Sequence, residues 1–131
     1  MSAGPRFLQT MLRVGNLDAS VRFYTELLGM QEVRRRVVPE GKFILVFLGY
    51  GDEATTTVLG LTYNEGVDRY ERGNGFRHIG IGVPDVAALC DRLRTAGVKI
   101  TREPGPMRFG DTVIAFIEDP DSYVIELIQR T

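Results

Sequence analysis

The stretch RHIGIGVPDVAALCDRLRTAG, residues 77–97, decides the fold, because it joins a short β-type run to an amphipathic helix that a glycine ends. The apolar residues after Val83 recur at helical spacing: Val86, Leu89, Cys90 and Leu93. Asp85 precedes them, where a carboxylate can cap free backbone N–H groups. Gly97 follows them, where glycine tolerates the left-handed backbone just past a helix end. The stretch therefore predicts a β-α unit with defined ends.

The same pattern occurs earlier in the chain, starting with LQTMLRV at residues 8–14. Its predicted helix carries Leu17, Val21, Tyr24 and Leu28 on one face, has Asp18 near its start and stops at Gly29. Three β-type segments follow each helix, over 31–38, 43–49 and 56–62 in the first half and 99–103, 112–118 and 123–129 in the second. The sequence therefore predicts an α+β protein of two βαβββ modules related by pseudo-twofold symmetry.

The length favours one domain built from both modules, since 131 residues is an ordinary domain size. The modules are predicted over about 7–63 and 75–131, with a polar linker over 64–74 that has room for one helical turn. Modules of about 65 residues bury little core alone. We therefore expect them to pack together or to pair with a second chain, with equivalent positions converging on a shared cleft.

Composition argues against several classes of protein. The chain is 44% hydrophobic and 25% charged, with net charge −1, as in ordinary soluble proteins. No apolar run is long enough to span a bilayer, residues 1–7 lack a secretion signal, and nothing predicts binding to nucleic acid or a membrane. A single cysteine fits a reducing compartment. We therefore expect a cytoplasmic protein.

Aligning the modules brings out four positions. Gln9 matches His78, the sole histidine, and Gly60 matches Glu126. Each module thus carries one of these positions on its first strand and one on its last, and strand alternation turns Glu126 away from the face of its apolar neighbours. Imidazole, carboxylate and amide oxygen together suit Zn²⁺, Ni²⁺ or Co²⁺ better than Mg²⁺ or Ca²⁺. The alternatives are a hydrogen-bonded structural histidine and a glutamate that pairs with an arginine across the sheet.

Several segments resemble glyoxalase I (lactoylglutathione lyase), of the vicinal oxygen chelate superfamily. The resemblance runs from about Leu8 to Gln129. The segments that carry it are TMLRVGNL (10–17), FY (23–24), LGM (28–30), FLGYG (47–51), LTYN (61–64), REPGP (102–106) and VIAFIEDPD (113–121).

The resemblance implies a homodimer with active sites at the subunit interface and a Ni²⁺, Co²⁺ or Zn²⁺ ion with four protein ligands. Gln9, His78 and Glu126 match three of these ligands. The remaining ligand is a glutamate in the family, and this chain has Gly60 at that position. The departure predicts weaker metal binding, an extra water ligand and reduced or lost activity. Glu53 and Glu65 are the nearest acids that could replace it, although both fit solvated surface carboxylates better.

The family reaction converts the hemithioacetal of methylglyoxal and glutathione into S-lactoylglutathione. The resemblance implies that Glu126 removes the C1 proton and that the metal stabilises the enediolate. It also implies that Arg13, Asn64 and Arg108 hold glutathione, which acts as cosubstrate. Three residues around the expected site depart from the family pattern. Arg77, Phe109 and Ser122 each stand where the family usually has glycine.

Two other functions stay open. One is a non-catalytic protein that binds a small molecule in the dimer cleft, as bleomycin-resistance proteins of this superfamily do. The other is a metal enzyme that acts on a different substrate. Cys90, on an apolar helix face, is expected to be a buried small hydrophobe rather than a nucleophile.

Overall fold

The computed structural model describes residues 4–130, which divide after Tyr70 into two compact units. In the first unit, the elements are β1 (Gln9–Arg13), α1 (Leu17–Arg22), a π-helical segment (Phe23–Leu27), β2 (Gln31–Val38), a 3₁₀ turn (Pro39–Gly41), β3 (Phe43–Gly49) and β4 (Val58–Asn64). In the second unit, they are β5 (Ile79–Val83), α2 (Val86–Thr95), β6 (Ile100–Pro106), β7 (Val113–Glu118) and β8 (Val124–Gln129).

Each unit forms one four-stranded sheet with the same topology. The strand orders are β1-β4-β3-β2 and β5-β8-β7-β6. In each sheet the first strand pairs in parallel with the last, and the other pairs are antiparallel. This arrangement confirms the α+β class and the two βαβββ modules that the sequence predicted.

In the first unit, the middle of the sheet is buried on both faces, because consecutive residues of β3 and β4 are buried. In the second unit, most buried strand residues lie on one face of the sheet. In β8, Ile125 and Leu127 are buried while Glu126 between them is partly exposed, as strand alternation requires. On the same side as the buried residues, α2 contacts β6, β7 and β8 and contributes the buried Val86, Leu89, Cys90 and Leu93. The opposite face of this sheet carries Glu126 together with Phe116 and Ile128.

The predicted residues end both helices and cap α2, whereas the cap of α1 is a different residue from the one predicted. Asp85 caps α2 by accepting a hydrogen bond from the Ala88 N–H at 3.0 Å, and both Gly29 and Gly97 adopt positive φ. At α1 the cap is Asn16, which accepts from the Ala19 N–H at 3.0 Å. Asp18 was predicted near this start as a cap, but it lies inside the first turn, where its backbone is already helical.

Three segments differ from the sequence prediction, and one of them is β6, which runs to Pro106 rather than ending at residue 103. The fourth strand begins at Val58 rather than residue 56, because the N–H groups of Thr55 and Thr56 bond to the Asp52 carbonyl in a turn. The segment from 64 to 74, which had room for a helical turn, contains no helix; the Val67 N–H closes a single turn onto Asn64. None of the helices within residues 4–130 is long and apolar enough to cross a membrane.

Candidate metal centre

His78 and Glu126 lie side by side in the second unit. His78 directly precedes β5, and Glu126 lies in the parallel neighbour β8. Their Nε2 and Oε1 atoms are 3.1 Å apart, and the two side chains are 25% and 17% exposed. Two ligands of one first-row cation, each about 2.1 Å from the ion, sit about 3 Å apart. The pair therefore has the spacing of two adjacent metal ligands.

The surroundings of the pair favour this use. The Nδ1 atom of His78 is buried and has no hydrogen-bond partner within the described part of the chain. The imidazole ring lies 5.5 Å from the ring of Phe116, which is the cross-strand partner of Glu126. A histidine serving only as a structural hydrogen-bonding group usually satisfies both nitrogens. Imidazole and carboxylate donors together fit a first-row divalent ion.

Arg102 does not compete for the glutamate. It shares a cross-strand row with Phe116 and Glu126, as the register of β6, β7 and β8 shows. Its guanidinium donates instead to the backbone carbonyls of Gly105 at 2.9 Å, Ile114 at 3.0 Å and Pro106 at 2.7 Å. The expected alternative, a glutamate paired with an arginine across the sheet, is therefore not what the structure shows.

The equivalent row in the first unit lacks a carboxylate. There Met11 pairs with Gly60, and Gly60 pairs with Phe47, just as Gly80 pairs with Glu126 and Glu126 with Phe116. A Cβ added to Gly60 would lie 2.7 Å from both Cε and Sδ of Met11. The end of the Met11 side chain thus fills the place from which a carboxylate at position 60 would extend.

The other ligand predicted in this unit, Gln9, begins β1 and is exposed. By strand alternation it shares a sheet face with Met11 and Arg13, and through their partners with Gly60 and Thr62. Gln9 and Gly60 are therefore on one face of the first sheet, as His78 and Glu126 are in the second.

The candidate replacement acids are engaged or exposed. Glu53 accepts from Arg34 at 2.8 Å, and this hydrogen bond holds the pKa of its carboxyl below the usual range. Glu65 is exposed on the loop after β4. Among residues 4–130 no three His, Cys, Asp or Glu side chains form a group that could hold a metal. Neither acid is therefore placed as an evident substitute for a carboxylate at position 60.

The three side chains predicted to hold glutathione have different surroundings. Arg13 ends β1 on the same sheet face as Gln9. The amide of Asn64, at the end of β4, donates to the Tyr70 hydroxyl at 3.0 Å. Arg108 lies in the exposed β6–β7 loop with its guanidinium 4.9 Å from the Phe109 ring, and no hydrogen bond or ion pair in the described chain joins it to His78 or Glu126.

Sequence reasoning missed two neighbouring side chains. Met11 packs against position 60, and the Phe116 ring lies near His78. Both are cross-strand neighbours, and cross-strand neighbours require the sheet register. A signal was nonetheless present, because Phe47 and Phe116 stand 69 residues apart, the same spacing as Gln9 and His78.

Comparison with known proteins defines the class. Residues 6–127 match the model of the Glyoxalase/Bleomycin resistance protein/Dioxygenase superfamily, and the chain belongs to this superfamily. It is 55% identical over 124 residues to a probable lactoylglutathione lyase from Synechocystis, with 95% of each chain covered. It is 53% identical to the lactoylglutathione lyase of Neisseria meningitidis serogroup A, with 95% of this chain and 91% of that protein covered.

The structural comparison agrees. Glyoxalase I from Zea mays superposes with a TM-score of 0.93 at 50% identity, over 96% of this chain. This chain spans 45%, or about half, of the maize chain. The resemblance to glyoxalase I that the sequence motifs showed is confirmed, and with it the expectation of an enzyme of the lactoylglutathione lyase type.

Proposed function

We propose that this protein converts the hemithioacetal of methylglyoxal and glutathione into S-lactoylglutathione. The observation that carries the proposal is the His78–Glu126 pair at 3.1 Å, in a chain that matches lactoylglutathione lyases over 95% of its length. Nothing specific favours the alternative of a non-catalytic binding protein.

Glu126 is the proposed base. Its carboxylate is part-buried, and an imidazole at hydrogen-bond distance keeps it oriented. It takes the proton from C1 of the hemithioacetal; the C–H electron pair forms the C1–C2 double bond, and the π pair of the carbonyl moves onto the oxygen at C2. The same carboxyl group returns the proton to C2 while the proton of the C1 hydroxyl passes to the oxygen at C2, so C1 becomes the thioester carbonyl, C2 carries the hydroxyl and no atom is gained or lost.

Gln9, His78 and Glu126 are the proposed holders of a divalent ion, Ni²⁺, Co²⁺ or Zn²⁺. When bound, the ion supplies a Lewis acid for the negative charge that develops on the substrate oxygens. Position 60 offers no donor, so the protein contributes one carboxylate fewer than the family pattern. We therefore expect weaker metal retention than a site with two glutamates would show.

Glutathione is the proposed cosubstrate, held through Arg13, Asn64 and Arg108. Arginine recognises carboxylates through two parallel hydrogen bonds, and glutathione carries two carboxylates. The Asn64 side chain is fixed by its bond to Tyr70, so its amide oxygen has a defined direction.

A homodimer is the proposed assembly, and the cytoplasm the proposed location. The family resemblance supports the dimer, and a free, buried cysteine is compatible with a reducing compartment. Light scattering should give twice the 14.6 kDa mass of the chain; a mass of one chain would contradict the dimer.

The test is glutathione-dependent consumption of methylglyoxal by chelator-stripped protein, before and after Ni²⁺, Co²⁺ or Zn²⁺ is added separately. We expect one or more ions to restore turnover and Glu126→Gln to remove it. Glu118→Gln is the matched control, because Glu118 lies on the neighbouring strand and its carboxylate forms an ion pair, within residues 4–130, only with Lys99, at 3.8 Å. Folded protein that is inactive with every ion would overturn the proposal and favour a binding role or another substrate.

A further inference from the structure

A small cavity in the second unit is lined by two arginines. Its volume is about 130 Å³, and its lining residues are Arg72, Gly73, Phe76, Arg77, Ser122 and Val124. Since a water molecule occupies about 30 Å³ of liquid, the cavity has room for a group of a few heavy atoms. No lining side chain is acidic.

One of the guanidinium groups is held in place by an aromatic cluster. The Arg72 guanidinium lies 4.9 Å over the ring of Tyr123, and that ring meets Phe76 edge-on at 5.7 Å. Tyr123 itself is buried. Stacking uses the face of a guanidinium and leaves its N–H edge available for hydrogen bonds.

The two arginines are the charged residues that line the cavity. Within residues 4–130 neither Arg72 nor Arg77 forms an ion pair, whereas Arg34, Arg35 and Arg94 each pair with a carboxylate. Two guanidinium groups at one small cavity favour an oxyanion ligand.

Two residues that line the cavity depart from the pattern of the family that the sequence resembles. Arg77 and Ser122 replace usual glycines, and both line it. Ser122 keeps a glycine-like backbone, with φ 68°, so the turn is retained while a hydroxyl is added. Arg77 directly precedes His78, and Val124 shares a strand face with Glu126.

We propose that this cavity binds one small oxyanion, a phosphate or a carboxylate group, between Arg72 and Arg77. The ligand can be free phosphate or a carboxylate of a peptide such as glutathione, since both present the same oxygens to a guanidinium. The site lies within residues 72–124 and requires neither metal nor turnover, so it can be tested separately from the catalytic function.

The test is a titration of isotope-labelled, metal-free protein followed by NMR, at constant ionic strength. One arm adds sodium phosphate, and the other adds S-methylglutathione, which cannot react. We expect saturable shifts at the amides of Gly73, Phe76 and Ser122. Saturation by phosphate alone identifies a free phosphate ligand, and saturation by S-methylglutathione at lower concentration identifies a peptide carboxylate.

Variants decide whether the arginines are responsible. Arg72→Leu and Arg77→Gly should each weaken the binding about fivefold or more, while Arg77→Lys should retain most of it. Arg92→Gln is the matched control, because Arg92 is exposed on α2 and has no ion pair among the described residues. Two results would overturn the proposal. One is amide chemical shifts that change linearly with ligand concentration in both titrations. The other is a saturation curve that is unchanged in Arg72→Leu and Arg77→Gly. The amide spectrum of each variant shows whether it is folded.

Discussion

Gly60 occupies the register position in the first unit that Glu126 occupies in the second. In each sheet, the first and last strands pair one glycine with one larger residue at this position. The pairs are Met11–Gly60 in the first unit and Gly80–Glu126 in the second. The glycine lies on the last strand in the first unit and on the first strand in the second. Because Sδ and Cε of Met11 are the flexible end of their side chain, position 60 can accept a larger residue once they move.

Gly60→Glu should strengthen metal binding. A second carboxylate adds a negative charge and a donor to the centre, and we expect about tenfold tighter Ni²⁺ binding, or about 1.4 kcal/mol. Competition with a chelating dye measures the affinity, and turnover is recorded alongside it. Gly60→Leu controls for the added bulk and should not strengthen binding. Equal affinity in the glutamate variant and the parent would mean that position 60 does not reach the metal.

The single cysteine should be unreactive in the folded protein. Cys90 is fully buried on α2, and burial raises the pKa of its thiol. Since the thiolate is the nucleophile, less of it is present at pH 8 than in an exposed cysteine. We expect no reaction with a disulfide reagent at pH 8 over minutes and one equivalent after denaturation. Rapid modification of native protein would show that α2 opens readily.

At the scale of elements, the two α-helices use equivalent caps, Asn16 and Asp85, although the sequence singled out Asp18 for the first. Both Asp18 and Asn16 are good capping residues by type. The choice depends on which residue keeps an extended backbone, and Asn16 does so with φ −140° and ψ 99°. The transition from α to π helix at Phe23 is likewise invisible in apolar spacing, because it involves backbone bonding rather than side-chain pattern.

Removing the α2 cap should lower stability by a defined amount. Asp85→Ala loses the bond to the Ala88 N–H, and we expect the free energy of unfolding to fall by about 1 kcal/mol. Asp91→Ala removes an aspartate of the same helix whose side chain is 79% exposed and whose one ion pair among residues 4–130 is with Arg94. That change should cost about 0.5 kcal/mol or less. Urea denaturation of both variants checks the difference, and equal losses would contradict the capping role.

For the whole molecule, internal repetition explains which features could be predicted. Repeat spacing predicted the two βαβββ modules, and the family resemblance identified the class, because both depend on order along the chain. The contact between His78 and Glu126 could be anticipated, since His78 directly precedes β5 and Glu126 lies in its parallel neighbour β8. Three contacts depend instead on strand register and side-chain rotamers. They are the packing of Met11 over Gly60, the hydrogen bonds of Arg102 to the backbone and the contact of His78 with Phe116. Residue spacing alone does not determine these.

The repeat also predicts that Met11 and Gly60 are energetically coupled. Gly60→Glu alone must displace the end of the Met11 side chain. It must also press on Phe47, whose Cε1 lies 3.3 Å from the added Cβ. Crowding of this kind lowers the free energy of unfolding by about 1 to 3 kcal/mol. Met11→Ala alone removes apolar contacts. In the double variant the glutamate enters the space that the thioether leaves, which approaches the Gly80–Glu126 arrangement of the second unit. We therefore expect the double variant to lose less stability than the two single losses combined, by about 0.5 kcal/mol or more. Denaturation of all four proteins without metal completes the cycle, and strict additivity would show that the thioether does not restrict position 60.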